Sequence, residues 1–391
     1  MADERTYLDY NATSVVRPVV ITAIAQALAR GGNPSSVHGE GRAARASVEA
    51  AREQVAELAG ARPQDVVFTS GGTEAANTLL SPGTLVATAP GPAFDRLFVL
   101  STEHACVREG HGFGPTGARL IPVDAHGVAD LAWLDTALTD EGPALVALQV
   151  VNNETGVVQP IRAAAELVHA RGGLVVADAV QAAGKLPLAM ADLGIDALFL
   201  SAHKLGGPQG VGAIVLAGDR VRLAQALLRG GGQERGHRAG THNGPGIAGF
   251  GAAAAAAAAD LAAEQPRLAA LRGQLEDVVR RLAPDAVIFG GQAERVANTS
   301  AFAVRGLTAE TLLMHFDRAG IALSSGSACS SGKIKRSHVL DAMGIDKELA
   351  GGALRASLGW RSSMADVVRF GQVFEKALET LHRRAGARRA A

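Results

Sequence analysis

Between about residue 60 and residue 217 the chain alternates short β-branched apolar runs with alanine-rich stretches of helical spacing. That rhythm predicts an α/β fold, a mostly parallel sheet with helices on both faces. Seven runs read as strands: Val66–Ser70, Leu97–Ser101, Arg119–Val123, Leu145–Asn152, Leu174–Asp178, Ala197–Ser201 and Gly212–Leu216. Several are continuous apolar runs, as strands buried on both faces should be. Past about residue 260 the pattern changes. A long helical stretch precedes Ala286–Phe289, Thr299–Val304 and Leu354–Leu358, which predict a smaller α+β unit closed by a helix over Met364–His382. The expected division is a large domain over 15–260 and a small one made of 1–14 plus 261–391. Two Gly- or Ser-rich spans, 230–251 and 324–332, predict loops.

Composition narrows the function classes. With 38 Lys+Arg against 38 Asp+Glu in 391 residues, the formal net charge is zero, so a dominant electrostatic nucleic-acid binder is not expected. The opening MADERTYLDYNATS has charges where a signal peptide would need an apolar run, so none is expected, and no later run is expected to span a membrane. The Ala252–Ala259 tract reads as a strong helix former. Two cysteines, Cys106 and Cys329, make neither a disulfide framework nor a four-thiolate metal site, and a reducing, cytoplasmic setting is expected.

In open parallel sheets, ligands sit beyond the carboxyl ends of the strands. The polar residues that follow the apolar runs are Thr73, His104, Asn153, Asp178, Gln181, Ser201, His203 and Lys204. Ser70-Gly71-Gly72-Thr73-Glu74 joins a strand to a helix and reads either as a phosphate cup or as a plain capped turn. Gly244-Pro245-Gly246-Ile247-Ala248-Gly249 matches G-x-G-x-x-G, but no strand precedes it, so it reads as a turn opening a helix. Lys204, one of six lysines, suits Schiff-base chemistry at a sheet edge, and alone it would equally be a surface lysine. Asp178 alone would be a helix-capping aspartate. Together, a lysine for an aldehyde, an aspartate for a pyridinium nitrogen and a phosphate cup are the handles that pyridoxal phosphate needs.

The chain also carries Tyr7-Leu8-Asp9-Tyr10-Asn11-Ala12-Thr13, Gly32-Asn33-Pro34-Ser35-Ser36-Val37-His38, Val151-Asn152-Asn153-Glu154-Thr155-Gly156, Asp178-Ala179-Val180-Gln181 and Ser201-Ala202-His203-Lys204. Gly231-Gly232-Gln233-Glu234-Arg235-Gly236 and Ser324-Ser325-Gly326-Ser327-Ala328-Cys329 follow in the same order. From about Tyr7 to the C-terminal helix the sequence resembles the cysteine desulfurases. The resemblance implies a fold-type I, pyridoxal 5'-phosphate-dependent transferase working as a homodimer. The 324–331 stretch resembles the long catalytic loop of the subgroup that supplies iron-sulfur and nitrogenase clusters.

By that resemblance, Lys204 carries the cofactor, Asp178 partners its pyridinium nitrogen and His104 stacks over its ring. Gln181 and Asn153 bond its phenolate oxygen and the substrate. Gly72, Thr73, Ser201 and His203 hold its phosphate, with Thr241 reaching in from the other subunit. Arg355 clamps the carboxylate of L-cysteine, with Asn11 beside it, and Cys329 takes the sulfur as a persulfide for an acceptor or scaffold protein. No other lysine is expected to be placed to bond the cofactor or to shuttle the α-proton, and Cys106 is expected to be a small buried hydrophobe. A class V aminotransferase or a selenocysteine lyase on the same scaffold would keep the cofactor residues without needing Cys329. The chain departs from the family at Gln233, where histidine is common, at Ala239, where serine is common, and in Lys333-Ile334-Lys335-Arg336-Ser337. That basic cluster is expected to favour the Cys329 thiolate and to offer an acidic acceptor a docking patch.

Overall fold

The structure, a computed structural model, describes residues 5–89, 94–325 and 336–390. All seven expected strands form one sheet, here numbered in chain order: β1 (Val66–Thr69), β2 (Leu97–Leu100), β3 (Ala118–Ile121), β4 (Leu145–Gln149), β5 (Leu174–Asp178), β6 (Ala197–Ser201) and β7 (Gly212–Leu216). The spatial order is β1-β7-β6-β5-β4-β2-β3. Pairs from β6 through β3 are parallel, whereas β7 runs antiparallel to both β6 and β1. Two reversals restore direction, so β1 ends at the same edge as β6, β5, β4 and β2. The Gly71–Thr73 turn and the residues after the other strands therefore share one rim. Every residue of β2, β4, β5, β6 and β7 is buried, which is why these strands read as unbroken apolar runs.

On one face lie helices α1 (Pro18–Arg30), α2 (Gly39–Ala59) and the first half of α4 (Gly244–Leu282); the short helix α3 (Gly72–Leu79) leads from β1 on the other. Helix α4 corrects the expected 230–251 loop, because the chain turns helical at Gly244, with Asn243 Oδ1 accepting from Gly246 N at 3.1 Å. Two of the three G-x-G-x-x-G glycines are packing positions: a Cβ would lie 2.6 Å from Val211 at Gly246 and 2.7 Å from Ile24 at Gly249, whereas Gly244 has open space. At 39 residues α4 is long and apolar enough to cross a bilayer, contrary to the expectation that no run would be. Its apolar residues are instead spent inside the protein. Ile247, Phe250, Ala253, Ala254 and Ala257 join the core under the large sheet, and Leu268, Leu271, Leu275 and Val279 join a second core with Leu8, Phe302, Phe316, Phe370 and Phe374. Pro266, which removes one helical hydrogen bond, falls between the two sets. The expected boundary at 260 thus lies inside one continuous helix.

The second core is roofed by a four-stranded antiparallel sheet, β8 (Val287–Ile288), β9 (Thr299–Ala303), β10 (Ser324–Ser325) and β11 (Leu354–Ser357), in the order β8-β9-β11-β10. Strand β10 was expected to be loop, and it pairs Ser324 with Arg355. The closing helix α5 (Met364–Ala390) runs past the expected His382.

Candidate active site

Beyond the common rim of β1, β2, β4, β5 and β6 lies a cavity of about 310 Å³, the size of a site for one small cofactor. Its wall includes Asn11, Gly72, Thr73, His104, Asn153, Asp178, Gln181, Ser201, His203, Lys204 and Arg355. The sequence-derived set is thereby brought to one place, with two exceptions. Thr241 lies in a separate cleft with Leu28, Asn33 and Pro34. Cys329 is outside the described residues, as are Lys333 and Lys335.

Lys204 follows β6 in a single turn of 3₁₀ helix, Ala202–Lys204, and its Nζ donates to the carbonyls of Asn11 (2.6 Å) and Ala12 (3.0 Å). Asp178 ends β5, directly across from Gln149 of β4 and Phe199 of β6. Burial pushes its carboxyl up to about 6, while the Val180 N–H (2.9 Å) and the Lys204 charge pull the other way. A buried carboxylate on a cavity wall calls for a cation, which a pyridinium supplies. His104 Nδ1 accepts from Cys106 N at 3.1 Å, so the neutral ring carries its proton on Nε2. Burial, then Lys204 and His338, lower its pKa and keep it neutral. His203 is held down to about 4 by burial and by Lys204, and its Nδ1 pairs with Thr13 Oγ1 at 3.2 Å. At the mouth of the β1–α3 turn, a Cβ on Gly72 would lie 3.3 Å from Val180 and 3.5 Å from Ser201. The three strand ends meet closely there, with Thr73 exposed beside them.

Arg355 is buried, donating to Asp9 Oδ1 (2.8 Å) and the Asn153 carbonyl (3.0 Å). Each terminal nitrogen keeps a second N–H, and Nε has no partner among the described residues. Asn11 departs from its expected role. Its Oδ1 accepts from Lys185 Nζ (2.9 Å) and Asn298 Nδ2 (3.1 Å), and its Nδ2 donates to Thr299 Oγ1 (2.9 Å) and the Asn153 carbonyl (3.2 Å). Its amide is spent on the protein.

Several functional neighbours were missed in the sequence. Lys185 is a second buried amine, bonded to Asn11 and within electrostatic reach of Lys204, though it is not part of the cavity wall. Cys106 is half-buried, packing against the core as a small hydrophobe while also lining the cavity; burial, then the Asp178 carboxylate, push its thiol well up and keep it protonated. Glu103 is fully buried behind His104, with no hydrogen-bond partner for either carboxyl oxygen among the described residues, and burial, reinforced by Asp178, keeps it protonated. None of these announces itself locally, since each depends on chain segments far apart in sequence.

The described residues on either side of 326–335 are held close to this cavity. Upstream, β10 pairs with β11 next to Arg355. Downstream, Ser337 Oγ donates to Glu154 Oε2 at 2.5 Å, and His338 Nε2 meets the Glu103 carbonyl at 2.8 Å. Arg336 is ion-paired with Asp341, so one charge of the expected basic cluster is already engaged.

The aminotransferase class-V family model matches residues 6–370. A cysteine desulfurase from Cereibacter sphaeroides is 42% identical over 385 residues, covering 97% of each chain. Among solved structures, a NifS-like protein from Rickettsia africae superposes with a TM-score of 0.87 at 30% identity, covering 96% of this chain and all (100%) of that one. A protein solved as SspA in complex with cysteine aligns with a TM-score of 0.73 at 26% identity, over 90% of this chain and 98% of that one. Pyridoxal phosphate dependence is a property of this family. With the family model and the curated relative each covering nearly the whole chain around this sheet and cavity, the protein belongs to the class V aminotransferase family and, within it, to the cysteine desulfurases.

Proposed function

We propose that this cysteine desulfurase binds pyridoxal phosphate in the 310 Å³ cavity and converts L-cysteine to L-alanine, with the sulfur leaving on Cys329. The observation that carries the reading is the convergence of Lys204, Asp178 and the Gly72–Thr73 turn on one rim of one cavity. These residues fit the cofactor: Lys204 for its aldehyde, Asp178 for its ring nitrogen, and Gly72, Thr73, Ser201 and His203 for its phosphate. When bound, the cofactor supplies an electron sink for the substrate's α-carbon.

The chain's own residues do the rest. Arg355 orients the substrate carboxylate with its unspent N–H groups. The Lys204 amine takes the α-proton and returns a proton to the carbon skeleton. His104, neutral with its proton on Nε2, exchanges the substrate's thiol proton. The Cys329 thiolate attacks the substrate sulfur; an S–S bond forms, the C–S bond breaks with its electron pair staying on carbon, and the protonated skeleton leaves as alanine. The persulfide then passes to an acceptor protein. We also place the protein in the cytoplasm, where free thiols persist.

We infer a homodimer. Val19, Ile21, Leu28 and Val37 are exposed apolar residues around the Thr241 cleft and α1, and a second copy seated there would cover them and receive Thr241.

Incubation with L-cysteine followed by mass spectrometry should find one added sulfur on Cys329 and an equivalent of alanine. Lys204→Ala should release no alanine and show no lysine-linked chromophore; alanine release at the parent rate would overturn the assignment. Cys329→Ser should keep the chromophore and lose alanine formation, which an aminotransferase reading does not require.

A further inference from the structure

Lys185 stands four residues past Gln181, behind the wall of the cavity. Its Nζ donates to Gln181 Oε1 at 2.5 Å and to Asn11 Oδ1 at 2.9 Å, and its carbonyl accepts from Gln265 Nε2 of α4 at 2.9 Å. Burial first, then the positive charges of Lys204 and Arg355, push the amine well below its ordinary range. A buried amine among cations is costly to keep unless it does something there.

What it does follows from hydrogen-bond chemistry. A side-chain amide has an accepting end and a donating end, and only its partners say which is which. Gln181 is gripped from both sides: the Lys185 amine donates to Oε1, and the Asn11 carbonyl, which can only accept, takes a hydrogen from Nε2 at 2.9 Å. The opposite orientation would set oxygen against the Asn11 carbonyl oxygen, losing that bond, and would end the donation from the Lys185 amine to Oε1. Gln181 Nε2 carries a second N–H, and Gln181 is part of the cavity wall.

We propose that Lys185 is a positioning residue: it locks Gln181 with its donor end toward the cavity, so that the site meets the ring oxygen of bound pyridoxal phosphate with an N–H rather than a carbonyl. The inference rests on the cofactor reading above. Lys185 touches neither substrate nor cofactor in this role and acts through Gln181, which it grips together with Asn11.

The direction of its effect is fixed. A donor on the ring oxygen stabilises the negative charge that grows when the lysine-bound chromophore loses its proton, so it lowers the pH at which the chromophore titrates. In the holoenzyme, Lys185→Met should keep the chromophore and raise its spectrophotometric titration midpoint by roughly one pH unit, a tenfold change in that equilibrium. Lys185→Gln, which retains a donor for Oε1, should restore most of the shift. Gln181→Leu should raise the midpoint as far as Lys185→Met, and the double variant no further, because the two residues act as one unit. An unchanged midpoint in Lys185→Met and Lys185→Gln overturns the inference while leaving the cofactor reading intact, as does an additive double variant. Absence of any lysine-linked chromophore in the parent protein overturns both.

Discussion

Asp178 is the residue whose environment makes the sharpest demand on its ligand. Its carboxyl is pushed up to about 6, by burial above all, so in the empty cavity it begins to take up a proton below that pH. A pyridinium needs the carboxylate form. Cofactor affinity should therefore be level above pH 6 and fall about tenfold for each unit below it, since a proton must first be expelled. Equilibrium dialysis of pyridoxal phosphate into apoprotein between pH 5 and 8 measures this. Asp178→Asn should bind more weakly throughout and lose the step; a step that survives the substitution assigns it to another group. Asn11 makes a different demand. An aspartate there would face the Asn153 carbonyl with an acceptor in place of a donor, so Asn11→Asp should destabilise the fold by about 2 kcal/mol in urea unfolding.

Glu154 and Ser337 hold the downstream end of the 326–335 segment to the turn after β4. Burial pushes the Glu154 carboxyl up from 4.5 to about 7, with the Ser337 hydroxyl and Arg355 opposing. The folded state therefore holds the proton more tightly than the unfolded chain. Stability from this group is complete below pH 4.5 and is lost as pH rises through 7, amounting to about 3 kcal/mol at full extent. Urea midpoints should fall between pH 5 and 8 in the parent and be flatter in Glu154→Gln, which still accepts from Ser337. Equal slopes in the two proteins would contradict the account.

The same elements show what a sequence can disclose. The seven strands were legible because burial on both faces makes each an unbroken apolar run, and Lys204 and Asp178 because they stand where such runs end. Strand β10 was not, because two serines acquire strand geometry only from pairing with Leu354 and Arg355. Lys185, Glu103 and the hydrogen bonds of Asn11 were hidden for a related reason: a partner 174 or 287 residues away leaves no local mark. The glycines at the start of α4 misled because the same residue type serves flexible turns and close helix packing.

For the whole molecule, the exposed face around α1 and the Thr241 cleft predicts that association and cofactor retention fail together. Leu28→Asp should shift sedimentation toward the monomer and speed cofactor loss on dilution, whereas a monomer with parent-like retention would show that each cavity is complete within one chain.

The order in which the pocket can close during synthesis follows from where residues 8–11 dock. Asp9 bridges to Ser357, Leu8 accepts from Ser357 N, and Asn11 N donates to Ser357 Oγ across 346 positions. The segment whose carbonyls hold Lys204 leaves the ribosome 346 residues ahead of the serine on which it docks. Until β11 appears, the nascent chain has a sheet but no finished pocket, and closing so long a span is entropically slow. Cofactor capture thus waits on β11: a chain interrupted before residue 354 should accumulate without colour, and the holoprotein should be drawn only from chains translated past that strand.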